Sequence, residues 1–267
     1  MTLRGGHSDH GVVSATGPRY GAAVVLPLHD RNPTTRTPVV TLTLIAVNVL
    51  IYIWQRSQGS IGEERFVYEY GFIPCELSHD CPAALGRHDL ALGVDQHNAW
   101  LTVITSTFVH GSVIHVAGNM LFLWIFGNNI EDRLGAARYL GFYLVCGLLA
   151  GLAQFAIDPN SSIPNIGASG AIAGVLGAYL LLFPFAWVLS YIPPIFFLPI
   201  PAFLWIGFWI VMQFLSQAQQ PETAPGEGGV AYWAHIGGFA AGMVLIKAFG
   251  GRRRPPSRAA GTRLASP

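Results

Sequence analysis

Residues 166–184 read IGASGAIAGVLGAYLLLFP: an uncharged run closed by a proline, with a single serine near its start. Such a run approaches the roughly 20 apolar residues that carry a helix across a bilayer. Five further stretches share its character, at 38–55, 112–128, 135–157, 195–216 and 230–250, each bounded by charged, polar or Gly/Pro-rich residues. Composition agrees. Of 267 residues, 52% are hydrophobic and only 11% charged, where a soluble domain carries about a quarter charged. The expected fold is all-α: a polytopic membrane protein with a bundle of six transmembrane helices over 38–250 and a long loop at about 57–111. A disordered tail at 1–37 and a basic tail at 251–267 flank it.

Six spans put both termini on one side, and charge decides which. Arg4, Arg19, Arg31 and Arg36 precede span one, Arg133 and Arg138 follow span two, and six more Lys/Arg lie from Lys247 onward, so that side holds 12 of the 15 basic residues. The other side keeps Arg56, Arg65 and Arg87 beside Glu63, Glu64, Glu69, Glu76, Asp80, Asp89 and Asp95. The positive-inside rule then predicts a multi-pass protein of the cell membrane with both termini cytoplasmic. Spans two, four and six all begin at the outer face.

The conspicuous polar residues sit near the starts of those three spans. At 1.5 Å per residue, Ser169 is expected about 5 Å into span four, His235 about 8 Å into span six, and His115 and Asn119 about 5–10 Å into span two. Three helices thus bring a hydroxyl, an imidazole and two more polar groups to one level. Polar groups at that depth are costly unless they face a bundle interior or a water cavity, which makes them a functional-site expectation. Ser169 stands in Gly167-Ala168-Ser169-Gly170-Ala171, at a helix start where free backbone N–H groups suit an oxyanion. A serine hydroxyl needs a base, and Ala234-His235-Ile236-Gly237-Gly238 supplies one. Gly170, Gly174 and Gly177 are expected to face Gly238 and Gly242, bringing spans four and six together as a small-xxx-small pair.

These motifs resemble those of the rhomboid family of intramembrane serine proteases: a GxSG-type serine motif, AHxxG, and HxxxN on an earlier span, here His115-Val116-Ala117-Gly118-Asn119. The resemblance runs from about residue 38 to 250. It implies Ser169 as nucleophile and His235 as general base, a dyad without an acidic third member, with His115, Asn119 and the Ser169 N–H stabilising the oxyanion. It implies a structural role for Glu131-Asp132-Arg133-Leu134-Gly135, similar to the family's ExRxG stretch. It also implies that the aromatic-rich span five and the segment 217–229 after it form a gate and cap, past which a transmembrane protein substrate enters. The expected depth of Ser169 and His235 places the cut at or slightly inside the substrate's extracytoplasmic membrane edge. The chain departs from some relatives in having Ala173 where an aromatic would stack on the imidazole, and Leu101 where an arginine would follow Trp100.

Other chemistry is weaker. Three cysteines exclude a disulfide scaffold. Cys75 and Cys81, with His79 between them, admit either a metal clip or a disulfide, and outside the cytoplasm oxidation is expected; Cys146 reads as core filler. His110, His115 and His235 lack a carboxylate at ligand spacing, so no metal site and no cofactor are expected. Net charge is +1 with no basic, aromatic face, so nucleic acid is not an expected partner, whereas membrane lipids are. A transporter would need ionisable residues at mid-membrane, where these spans carry almost none. The runner-up is a rhomboid-like pseudoprotease that binds membrane clients without cutting them; the presence of both Ser169 and His235 argues against it.

Overall fold

A computed structural model describes residues 25–94, 98–193, 196–219 and 230–250. Each of the six apolar runs contains a helix. The first gives α1 (Val39–Ser57). The second gives α6 (Val113–Phe122), which continues through a π-helical turn, Leu123–Gly127, into α7 (Asn128–Leu134). The others give α8 (Ala136–Ile157), α9 (Ser169–Leu182), α10 (Ala202–Gln219) and α11 (Tyr232–Phe249). Among the described residues, three continuous helices, Val39–Ser57, Val113–Leu134 and Ala136–Ile157, are long and apolar enough to cross a membrane. The fold is that of a predominantly helical membrane protein.

The centre of the bundle is α9, in which every residue from Gly170 to Tyr179 is buried. It is held at backbone distance from α11. A Cβ at Gly238 would lie 2.1 Å from the Gly170 carbonyl oxygen, one at Gly242 1.9 Å from that of Gly174, and one at Gly177 2.2 Å from that of Phe239. No other side chain fits such a seam. The opposite side of α9 meets α8, where a Cβ at Gly174 would lie 2.5 Å from Cys146 Cβ.

Glu131 of α7 caps α1. Its carboxylate accepts from the backbone N–H of Val40 (2.9 Å) and Thr41 (2.8 Å) and from Thr41 Oγ1 (2.8 Å). Pro38, the residue at the cap position, offers no side-chain acceptor, so a carboxylate from another helix satisfies the orphan donors of the first turn and meets the positive end of the helix dipole. Arg133 Nε is buried without an acceptor among the described residues.

Three expectations are corrected. Residues 1–37 are not all tail: from Leu26 the chain forms β1 (Leu26–Asp30), which pairs antiparallel with β2 (Trp187–Ile192), itself paired with β3 (Phe196–Pro201). Buried Asp30 anchors β1, accepting from Tyr179 Oη (2.5 Å) and Asn129 Nδ2 (2.8 Å). Second, the run at 195–216 is not one helix, because its first part is strand β3. Pro199 and Pro201 there lack the N–H that a helix interior needs, and they sit on an outer strand where a missing donor is tolerated. Third, the stretch 57–111 is folded, as α2 (Gly59–Tyr70), α3 (Pro74–Ser78), α4 (Ala83–Leu92) and α5 (Ala99–Thr105). Cys75 and Cys81 are joined in a disulfide, which leaves no thiolate for a metal clip. Residues 1–24, most of the segment 217–229 and the basic tail 251–267 lie outside the described residues.

Candidate active site

The segment 158–168 leads into α9, and its backbone is tied to its surroundings. Phe72 and Asn165 exchange backbone hydrogen bonds (3.0 and 2.7 Å), Cys75 N–H donates to Ser161 O (3.0 Å), and Gly167 N–H donates to Ser106 O (2.8 Å). Irregular backbone at membrane depth persists only where such partners exist. Gly167 then turns the chain with φ of +113°, and a Cβ there would lie 2.6 Å from His115 Nε2 and 3.4 Å from Asn119 Nδ2. Both the conformation and the space demand glycine. Ser169 follows as the first residue of α9, where its own N–H has no intrahelical acceptor.

Three helices converge on that serine. His235, in the first turn of α11, places Nε2 at 2.7 Å from Ser169 Oγ. On α6, Ser112 caps the helix by accepting from His115 N–H (3.1 Å), which sets the first turn that carries His115. One turn on is Asn119, buried, its Nδ2 without an acceptor among the described residues. Ser169, His235, His115 and Asn119 all line one cavity of about 690 Å³. The four site residues expected from the sequence are therefore together. Glu131 and Arg133 lie at the other end of the same long helix, and the Cys75–Cys81 disulfide is not part of the cavity wall.

What holds His235 escaped the sequence reading. Ala173 is buried in the bundle, and the imidazole is flanked instead by the rings of Trp209, at 6.0 Å and 35°, and Tyr232, at 6.2 Å and 88°. Its Nδ1 lies 2.7 Å from Gln213 Oε1, while Gln213 Nε2 donates to Trp209 O (3.3 Å). A signal was there: Gln213 is the only hydrogen-bonding side chain other than tryptophan in the stretch 202–215.

The model of the rhomboid domain matches residues 97–252, more than half of the chain and all of this site. The chain belongs to the rhomboid family. That family is one of intramembrane serine proteases. Similar proteins include rhomboid protein 1, mitochondrial, of Saccharomyces cerevisiae, 29% identical over 180 residues that make up 64% of this chain and 49% of that protein. Rhomboid-like protein 11, chloroplastic, of Arabidopsis thaliana is 30% identical over 159 residues, 56% of this chain and 53% of the relative. Rhomboid protease GluP of Bacillus subtilis is 40% identical over 81 residues, 30% of this chain and 15% of that protein. The chain thus spans about half the length of the first two of these relatives.

Proposed function

We propose that this rhomboid is an intramembrane serine endopeptidase that cuts single-pass transmembrane proteins, with Ser169 as nucleophile and His235 as general base. The observation that carries the reading is the 2.7 Å contact between Ser169 Oγ and His235 Nε2 at the head of a buried helix. Ser169 Oγ attacks the scissile carbonyl as its proton passes to Nε2. The oxyanion accepts from the Ser169 N–H, from Asn119 Nδ2 and from the His115 ring. Collapse breaks the C–N bond, with the Nε2 proton going to the departing amine. A water that gives its proton to His235 Nε2 then attacks the acyl carbon, the ester C–O bond breaks to release the carboxylic acid, and Nε2 returns the proton to Ser169 Oγ.

Helix lengths support a cut inside the membrane, near one face. α9 has 14 residues and α8 has 22, about 21 and 33 Å, against about 30 Å of hydrocarbon. With the far ends of the two helices level, Ser169 lies about 9 Å below the face where α9 begins. The basic residues favour that face as the extracytoplasmic one of the cell membrane, with both termini cytoplasmic. A substrate helix must unwind there, which glycine, proline and other weak helix formers ease. Trp209, Ile172 and Gly118 line the cavity beside Ser169, and a small residue before the cut is expected.

The test is to treat the purified protein with a fluorophosphonate probe, map the adduct, and sequence the product termini of a model single-pass substrate by mass spectrometry. An adduct on Ser169 and cuts just inside the extracytoplasmic edge are expected. Labelling that survives Ser169→Ala refutes the assignment of the nucleophile, and cuts at the cytoplasmic edge refute the orientation.

A further inference from the structure

α10 is packed unevenly. Its buried residues, Ala202, Trp205 and Ile206, all fall in its first two turns. Beyond them Phe208, Val211, Phe214 and Leu215 are exposed on the bundle's outer surface, as suits a helix lying against lipid. In this second half, where Trp209 and Ile210 still pack against the core, the side chain of Gln213 is engaged at both ends of its amide. Gln213 Nε2 donates to the Trp209 carbonyl one turn earlier (3.3 Å), and Gln213 Oε1 lies 2.7 Å from His235 Nδ1.

The first bond decides the second. Because the carbonyl of Trp209 can only accept, the amide nitrogen must face it, and the amide oxygen is left facing the imidazole. An amide oxygen also only accepts, so the proton on the ring resides on Nδ1. The lone pair is then on Nε2, 2.7 Å from Ser169 Oγ. The bonds run in one sense from the serine hydroxyl through the imidazole and the amide to a backbone carbonyl. With the opposite tautomer, Nε2 would carry a proton and could not take one from serine. Both aromatic neighbours of His235 can restrict its ring plane, but neither ring face can distinguish the two nitrogens.

We propose that Gln213 is the positioning residue for His235: it selects the Nδ1–H tautomer and aims Nε2 at Ser169, so that the dyad has a neutral third member supplied by α10. This rests on the protease reading above. It adds to that reading that a base on α11 is competent only while the second half of α10, which carries Gln213, stays in place.

The test compares the full chain in lipid vesicles as wild type, Ser169→Ala, Gln213→Leu and Gln213→Glu, by fluorophosphonate labelling rate and by cleavage of a single-pass substrate. Gln213→Leu is expected to lower both the labelling rate and kcat by about 10- to 100-fold, part of the about 10²–10⁴ that a well-placed base contributes, with KM changed less than about twofold. Gln213→Glu, which keeps an acceptor against Nδ1–H, is expected to recover most of the loss. Wild-type labelling in Gln213→Leu overturns the proposal, as does a defect confined to KM or a glutamate no better than leucine. Histidine ¹⁵N NMR gives a reading independent of turnover. The wild type should show His235 protonated at Nδ1 alone and Gln213→Leu a mixture; a wild type protonated at Nε2 overturns the proposal. If the wild type labels no more than Ser169→Ala, the protease reading falls and this one with it.

Discussion

Adding one methyl group to the seam between α9 and α11 should disable the site from two turns away. In Gly242→Ala the new Cβ would lie 1.9 Å from the Gly174 carbonyl oxygen and 2.6 Å from Gly174 Cα. Both obstacles are backbone, so no rotamer can yield, and reaching an ordinary separation of about 3.5 Å requires the helices to part by about 1.5 Å. His235 lies on the same helix about 10 Å along. If α11 moves as a unit, the contact of 2.7 Å between Nε2 and Ser169 Oγ opens to about 4 Å. If the helix pivots and only half the displacement arrives, the contact still exceeds the about 3.2 Å limit of a useful hydrogen bond. A misplacement of about 1 Å costs about 10² in rate, and overpacking costs about 1–3 kcal/mol of stability. Fluorophosphonate labelling of Ser169, alongside thermal unfolding in the same detergent, measures both. Gly207 on α10 is the control, since a Cβ there meets nothing within 4 Å; Gly207→Ala should stay active and gain up to about 1 kcal/mol from helix propensity. A Gly242→Ala protein that labels at the wild-type rate would show that backbone contact does not set the dyad geometry.

Ser169→Ala and His235→Ala should each abolish substrate cleavage, and the double variant should be no slower than either, because a nucleophile and its base act as one unit; Asn119→Ala should lose about 10²–10³ in kcat, the worth of one oxyanion donor. Glu131→Ala leaves the donors of Val40 and Thr41 at the start of α1 without their acceptor and should lower stability by about 2 kcal/mol, read as a drop in unfolding temperature that Glu131→Gln partly restores. Burial raises the pKa of Asp30 above its ordinary value, against the hydrogen bonds from Tyr179 and Asn129 that favour the carboxylate. A carboxyl group whose folded pKa is raised contributes stability that is fully present below its unfolded value of about 3.9 and lost as pH rises through the folded value. Unfolding temperature should therefore fall across that acidic window in the wild type more than in Asp30→Asn, and identical curves would refute the assignment.

The site was legible because membrane depth is a coordinate that sequence alone supplies. Counting from the ends of apolar runs put Ser169, His235, His115 and Asn119 at one level, and the cavity gathers the same four. The glycine seam was legible for a related reason: i, i+4 small residues on two helices have little use apart from close approach. The sheet was not. β1 lies in a stretch whose Gly, Pro and Thr content reads as tail, and Pro199 and Pro201 of β3 fall inside the apolar run 195–216, where hydropathy alone reads as a span. Gln213 was passed over because a glutamine late in an apolar helix resembles a residue reaching for the interface. Its partner lies 22 positions away, and no periodicity links the two. The helices of 57–111 were hidden by composition, since Gly59–Tyr70 is polar enough to pass for solvated loop.

The hydrogen bond between Asp30 and Tyr179 joins residues 149 positions apart, and that separation sets a schedule for synthesis. At about 5–20 residues per second, β1 waits about 8–31 s after leaving the ribosome before its partner strand, which begins at Trp187, starts to appear. During that interval Asp30 is a hydrated carboxylate and β1 an unpaired edge, open to proteases and to strangers. Four apolar runs must be made and correctly seated before β2 arrives to receive it. Protection of residues 25–37 is therefore a late event in biogenesis, and in pulse-chase proteolysis its onset would mark the chains whose bundle has assembled, leaving stalled or mis-threaded ones as the fraction still nicked there.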